Sequence, residues 1–174
     1  MNSPLAFFVV AALASTAAAQ SCFEGTNLVC YGLPGGTSQN ISLDDLQFAA
    51  DTIRFNGQSS DPTDLSGFYT MPANPKLHGC DEWTVLDSGT VRVLAKHTNN
   101  AVNSSVLLED MASTIDGGSD ATDAQKAKAI IHCAEHGGQL VITANTSNPA
   151  YSSAAYKASG NHPTDMMVKV VKVV

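Results

Sequence analysis

The pattern of apolar and polar positions divides the chain into strand-like and helix-like stretches. Leu28-Val29-Cys30-Tyr31 is a short β-rich run, closed by the turn residues Gly32, Pro34, Gly35 and Gly36. From about Ser42 to Phe55, Leu43, Leu46, Ala50 and Ile53 recur at the spacing of one helix face. Ser42 and Asp45 resemble a capping box with Asp in place of Glu, and Gly57 stands where a helix-stop glycine is expected. Residues 57–79 hold six glycines and prolines (Gly57, Pro62, Gly67, Pro72, Pro75, Gly79) with little periodicity, and read as a long loop. That loop is a functional insertion, a decoration, or the place of a short extra hairpin around Phe68-Tyr69-Thr70-Met71.

The clearest local signal follows Cys80. Glu82–Leu86 and Thr90–Ala95 are β-rich runs joined by Asp87-Ser88-Gly89, which predicts a hairpin. A second helix is expected after Asn103-Ser104-Ser105, which supply N-cap candidates. It runs to about Ile115, with Leu108, Met111, Ala112 and Ile115 as its apolar stripe. After the breaker Asp116–Ala121, a third helix is expected from about Asp123 to His136. Thr122 and Gln125 form its capping box, Ala127, Ile130, Ile131 and Ala134 its buried face, and Gly137-Gly138 its stop. Gln139–Ala144 and Met166–Val174 read as strands, linked by a Ser/Ala/Tyr-rich connection. Helices set among hairpin-paired strands predict an α+β fold. The nearest template is a ferredoxin-like α/β sandwich, with a mostly antiparallel sheet and two or three helices on one face.

The N-terminus adds export to this picture. Pro4–Ala19 is almost wholly apolar or small and ends in Ala17-Ala18-Ala19, so residues 1–19 read as a secretory signal peptide and 20–174 as a single secreted domain. No Lys or Arg precedes Arg54, which leaves an uncleaved anchor as the competing reading. All four cysteines, Cys22, Cys30, Cys80 and Cys133, follow the signal. An even count in an exported chain implies two disulfides in one of three connectivities, and no free thiol. The expected pairing is Cys30 with Cys80, stapling two adjacent strand regions, and Cys22 with Cys133. No Cys-x-x-Cys suggests zinc or thioredoxin chemistry. Sequons at Asn40, Asn103 and Asn145 predict surface glycosylation.

Charge and candidate chemistry narrow the function by exclusion. The net charge is −7 and the 9 basic residues are scattered, so the footprint of a nucleic-acid binder is missing. No cofactor motif and no metal-ligand set is expected. His132 and His136, four apart, share a helix face as a metal pair would, but two histidines in a last turn also suit the helix dipole. Asp116, Asp120 and Asp123 lack the alternate-residue spacing of a calcium loop and read as a solvated, capping acidic loop. Ser88 lies in a turn without a nucleophile-elbow frame. Glu109 or Glu135 with His97 or His136 is the form an acid/His hydrolase site would take. Trp83, the single tryptophan, is expected to be a buried anchor between sheet and helix, with a place on a binding surface as the alternative.

Several of these segments together resemble the necrosis-inducing secreted effector domain of filamentous fungi. They are Thr37-Ser38-Gln39-Asn40, the helix passing through Phe48-Ala49-Ala50-Asp51-Thr52-Ile53, and Glu82-Trp83-Thr84-Val85 with Ser88-Gly89. Leu108–Ile115 falls where that family has its second helix, and the strand order looks like that of fungal killer toxins. The resemblance spans residues 22–144. The family's cysteine in the first helix and another after the hairpin have no counterpart near Asp44-Asp45 or His97–Ala101, and no functional residue carries over. It implies a non-enzymatic, monomeric effector or killer-toxin-like protein that binds a host or competitor protein, glycan or membrane component. A small secreted hydrolase, ribonuclease-like or other, is the alternative.

Overall fold

The computed structural model describes residues 22, 24–33, 35–58, 64–74 and 79–174. The signal-like segment 1–19 lies outside the described residues, as do parts of the long loop.

The fold is α+β. Its main sheet has five strands: β1 (Val29–Cys30), β3 (Trp83–Ser88), β4 (Val91–His97), β6 (Gly138–Val141) and β7 (Met166–Lys172). They lie in the order β1-β6-β7-β4-β3, and every neighbouring pair is antiparallel. The last strand of the chain is thus the central one, and β1 stands at an edge. Two strands, β2 (Phe68–Met71) and β5 (Ser104–Leu107), form a second small sheet. The helices are α1 (Leu43–Gly57), α2 (Leu108–Asp116), α3 (Asp123–Lys126) and α4 (Ala154–Ser159). Two 3₁₀ segments, Ile130–His136 and Pro149–Ser152, accompany them.

Strand alternation assigns the two faces of the main sheet. Val91, Val93 and Ala95 of β4 and Met166, Val168 and Val170 of β7 are fully buried beneath α1 and α2, which pack on each other and on this face. Leu46, Ala49, Ala50 and Ile53 of α1 meet Met111, Ala112 and Ile115 of α2 in the same core. The opposite face carries the cross-strand row Val29–Gln139–Lys169–Leu94–Thr84. A satellite core under the small sheet stacks Phe68 on Tyr156 at 4.9 Å, with Tyr151 edge-on to both.

Several expectations change in the structure. Leu43 is 46 % exposed, and Ala49 takes its place on the buried face of α1. Gly57 does not stop α1 by a left-handed turn. The helix runs through it, and a Cβ there would lie 3.0 Å from Leu108 Cβ, so the glycine permits the α1–α2 approach. Ser42 does cap α1, with Oγ accepting from Asp45 N at 3.3 Å. The Asp45 carboxylate does not close a capping box; it turns to Thr90 in the hairpin, accepting from N and Oγ1, each at 2.8 Å. Phe68–Met71 is a strand, but it pairs with β5 far along the chain and not within its own loop.

Ser104 and Ser105 are not helix caps. Both are fully buried in β5, where Ser105 Oγ meets Thr70 Oγ1 at 2.8 Å, and α2 begins only at Leu108. The helix expected over 123–136 is broken. After α3 the chain tightens into a 3₁₀ segment, with Ala134 at φ 50°. Ile130 and Cys133, three apart, are its buried residues, as a 3₁₀ period dictates, whereas Ala127 is exposed. At its start Gln125 Oε1 does reach back to Thr122 N, at 2.9 Å.

All four cysteines are paired, but Cys22 joins Cys80 and Cys30 joins Cys133, opposite to the expected connectivity. The reason lies in the two sheet faces. Cys30 is paired in register with Gly138, and Gly138 with Val170, on the helix side, where Cys133 lies. Trp83 is also corrected. It is 42 % exposed at the start of edge strand β3, not buried between sheet and helix.

Candidate functional site

Each candidate acid/His pair lands somewhere other than a cleft. His97 is 1 % exposed; its Nε2 donates to Pro72 O at 3.1 Å, which leaves Nδ1 facing Ser104 Oγ at 3.4 Å. This has the connectivity of a nucleophile, a base and an orienting group. Yet Ser104 is fully buried, so no substrate reaches either atom, and the pair ties β4 to β5. Glu109 is drawn to Arg54 at 3.0 Å, and not to a histidine. His136 Nε2 lies 3.9 Å from Glu135, its chain neighbour, and the imidazole ring packs against Gly32. His132 is exposed, and the kink at Ala134 removes the helical spacing that would have aligned it with His136.

Asp116 is not part of a solvated loop. It is 2 % exposed and receives Arg54 Nη2 on both oxygens at 2.9 Å. Arg54 also binds Asp51 and Glu109, so this cluster fastens α1 to α2. Among the described residues no group of three metal-ligating side chains occurs. Asn40, Asn103 and Asn145 are all exposed, and Asn103 Oδ1 accepts from Ala73 N at 2.8 Å.

Two surfaces have the character of binding sites. The first is the outer face of α1, opposite its buried stripe. Phe48 and Phe55, two turns apart, are 64 % and 71 % exposed, and with Asp51 and Thr52 they line an apolar notch of about 300 Å³. Exposed Asp44 and Asp51 flank the rings. The one basic side chain of the helix, Arg54, is turned inward and saturated by carboxylates. The stripe is therefore aromatic and acidic, and two phenylalanines in water need an explanation that isolated surface leucines do not.

The second lies on the outer face of the main sheet. Tyr31, Gln39, Glu82, Gln139 and Lys169 line a pocket of about 370 Å³ together with Gly36, Thr37 and Val171. Gln139 and Lys169, neighbours in register, form its floor and are 7 % and 8 % exposed. Tyr31 donates its hydroxyl to Gln139 Oε1 at 3.0 Å. Burial and the nearby Glu82 and Glu24 carboxylates push the Tyr31 phenol well above its ordinary range, so it stays protonated. Lys169 Nζ is held by Glu24 at 2.6 Å and Glu82 at 2.7 Å, and Glu24 also binds Lys96. Burial works against the charge on Lys169, but these carboxylates outweigh it and raise its pKa. For Glu24 the two lysines likewise overcome burial and lower its pKa.

The sequence reading missed both surfaces. Phe48 and Phe55 at i and i+7 on the polar side of the α1 stripe were a legible signal. The pocket was not, because it gathers residues from four distant segments of the chain. No family model matches the chain, and no curated protein or solved structure matches it significantly.

Proposed function

We propose that this is a secreted binding protein of the necrosis-inducing effector or killer-toxin kind, which engages a host or competitor protein through the outer face of α1. The observation that carries this reading is the pair of exposed phenylalanines flanked by aspartates. Aromatic side chains dominate the energetics of protein interfaces. Asp44, and the negative charge left over where three carboxylates including Asp51 share the one Arg54, select a partner surface bearing Lys or Arg, which can lie over the Phe rings. An anionic lipid surface would be repelled by the same flanks.

Export is supported by the N-terminal signal-like segment, two disulfides and three exposed sequons. Among the described residues no helix is long and apolar enough to cross a membrane. We read the five-stranded sheet as an elaboration of the ferredoxin-like plan. Hairpin β3–β4 and the helix pair α1–α2 are kept, while β7 stands beside the hairpin and β6 displaces β1 to the edge.

The test is Phe48→Ser with Phe55→Ser, assayed by leaf infiltration and by growth inhibition of competing microbes. Hot-spot aromatics contribute about 2–4 kcal/mol each, so a loss of at least 30-fold in potency is expected at unchanged melting temperature. Undiminished potency in the double variant would remove α1 as the contact surface.

A further inference from the structure

We propose that the pocket on the outer face of the main sheet binds a neutral, hydroxyl-rich saccharide. This site is on the side of the sheet away from α1 and is independent of the protein-binding surface proposed above.

Lys169 and Glu82 line the pocket and belong to an ion cluster that continues through Glu24 to Lys96, in which each charge is already satisfied: Lys169 by Glu24 and Glu82, Lys96 by Glu24. An anion finds no unpaired cation there, and a cation would have to displace Lys169 from both carboxylates. Charged ligands therefore gain little, and a neutral one leaves the cluster intact.

The remaining hydrogen-bonding capacity is mixed and converges on the cavity. The Gln139 side chain is more than nine-tenths buried. Its Oε1 accepts from Tyr31, which fixes the amide orientation and leaves Nε2 as the donor that Gln139 offers to the pocket it lines. Tyr31, having donated its proton, has an oxygen lone pair left to accept. The second carboxylate oxygen of Glu82 accepts, and the Thr37 hydroxyl does either. A ligand must then both donate and accept at short intervals, which is the property of vicinal hydroxyls. The Tyr31 ring and Val171 supply the apolar contact that the C–H face of a sugar ring needs. The volume, about 370 Å³, is at the lower end of the small-molecule range and suits one or two sugar rings. The pocket is preorganised from below, because Gln139 and Lys169 stand on adjacent strands of the main sheet.

The test is an amide chemical-shift titration of the full secreted protein after enzymatic removal of N-glycans, since the Asn40 sequon follows directly on Gln39, which lines the pocket. The probes are neutral trisaccharides: β-1,4-linked N-acetylglucosamine, β-1,3-linked glucose and α-linked mannose. Inorganic phosphate and free lysine serve as charged controls. At least one trisaccharide is expected to shift the amides of Tyr31, Gln139 and Lys169. Gln139→Leu should weaken that binding about ten-fold or more. If Gln139→Leu fails to fold, Glu82→Gln and Thr37→Val at the exposed rim should each weaken it instead. Silence from all three trisaccharides, shifts confined to other surfaces, a stronger response to phosphate or lysine, or full affinity in the pocket variants would overturn the proposal. The Phe48→Ser, Phe55→Ser protein should bind the saccharide normally, so failure of either proposal is recognised separately.

Discussion

Single residues decide how polar groups are tolerated inside this fold. Tyr151 Oη donates to Asp110 Oδ2 at 2.6 Å and accepts from Leu107 N at 2.8 Å, where β5 hands over to α2. Burial raises the Asp110 pKa, and the Tyr151 and Asn145 hydrogen bonds only partly offset it. A carboxyl raised on folding contributes stability that is present below its unfolded pKa and is lost as pH rises through the folded value. Tyr151→Phe removes a bond that holds the Asp110 pKa down and leaves the Leu107 N–H without a partner. Its cost in urea unfolding should be about 1–3 kcal/mol, larger at neutral pH than near pH 3, where Asp110 is protonated in both states. Trp83, at 42 % exposure, should fluoresce at a red-shifted wavelength and be quenched by acrylamide. Trp83→Ala should cost about 1 kcal/mol, well below the 3–5 kcal/mol of a buried ring.

At the scale of elements, α1 is the best-anchored piece. Ser42 caps it, Thr90 joins its first turn to the hairpin, and Arg54 bonds its last turns to α2. Arg54→Ala leaves Asp116, 2 % exposed, as a buried uncompensated carboxylate and should cost about 3–5 kcal/mol in denaturant melts. At the other end, the Thr90 backbone and hydroxyl bonds hold the Asp45 pKa below the usual carboxylate range. A depressed carboxyl contributes stability above its unfolded pKa and loses it as pH falls through the folded value. Thr90→Val should therefore move the Asp45 titration upward in carbon-13 NMR and blunt the loss of stability on acidification. The Ser42 cap and the Leu46, Ala50, Ile53 spacing located this helix from sequence, because capping and periodicity are local, whereas Asp45 and Gly57 serve the hairpin and the α1–α2 contact instead of the box and stop expected of them. The 3₁₀ segment after α3 was not legible in the same way. Its run of helix formers is overruled by the Cys30–Cys133 bond and by a buried face repeating every three residues.

For the molecule as a whole, the two disulfides divide the work between the faces of the sheet. Cys30–Cys133 closes 103 residues on the helix side, and Cys22–Cys80 closes 58 and brings the N-terminal segment across the outer face. In the chain-entropy account these loops are worth nearly the same, about 4–5 kcal/mol each. Their effects on binding should nevertheless differ. Cys22→Ser with Cys80→Ser frees the segment that carries Glu24, so the pocket should lose its ion cluster while the helix-side core persists. Removing Cys30 and Cys133 should lower the melting temperature without that selectivity. Amide chemical shifts at Lys169 and Lys96, set beside melting curves of both variants, check the difference. Unreduced, denatured protein should titrate no thiol. Mass spectrometry of exported protein should find a chain beginning at Gln20.

The sequence by itself determined what depends on neighbours within a few residues, and on counts. The α+β character, the β3–β4 hairpin, the Ser42 cap, the buried C-terminal strand and the full pairing of four cysteines all follow from periodicity, turn chemistry and an even cysteine number. Tertiary structure decided the rest. It placed Met166–Lys172 at the sheet centre, paired Phe68–Met71 with Ser104–Leu107, chose the disulfide partners and left Trp83 at an edge. The cause is physical. A strand of alternating residues is compatible with several neighbours, and only the burial of one face against α1 and α2 selects among them. The pocket on the other face exists because that same selection sets Gln139 beside Lys169 and leads Tyr31 and Glu82 to them from the two edges of the sheet.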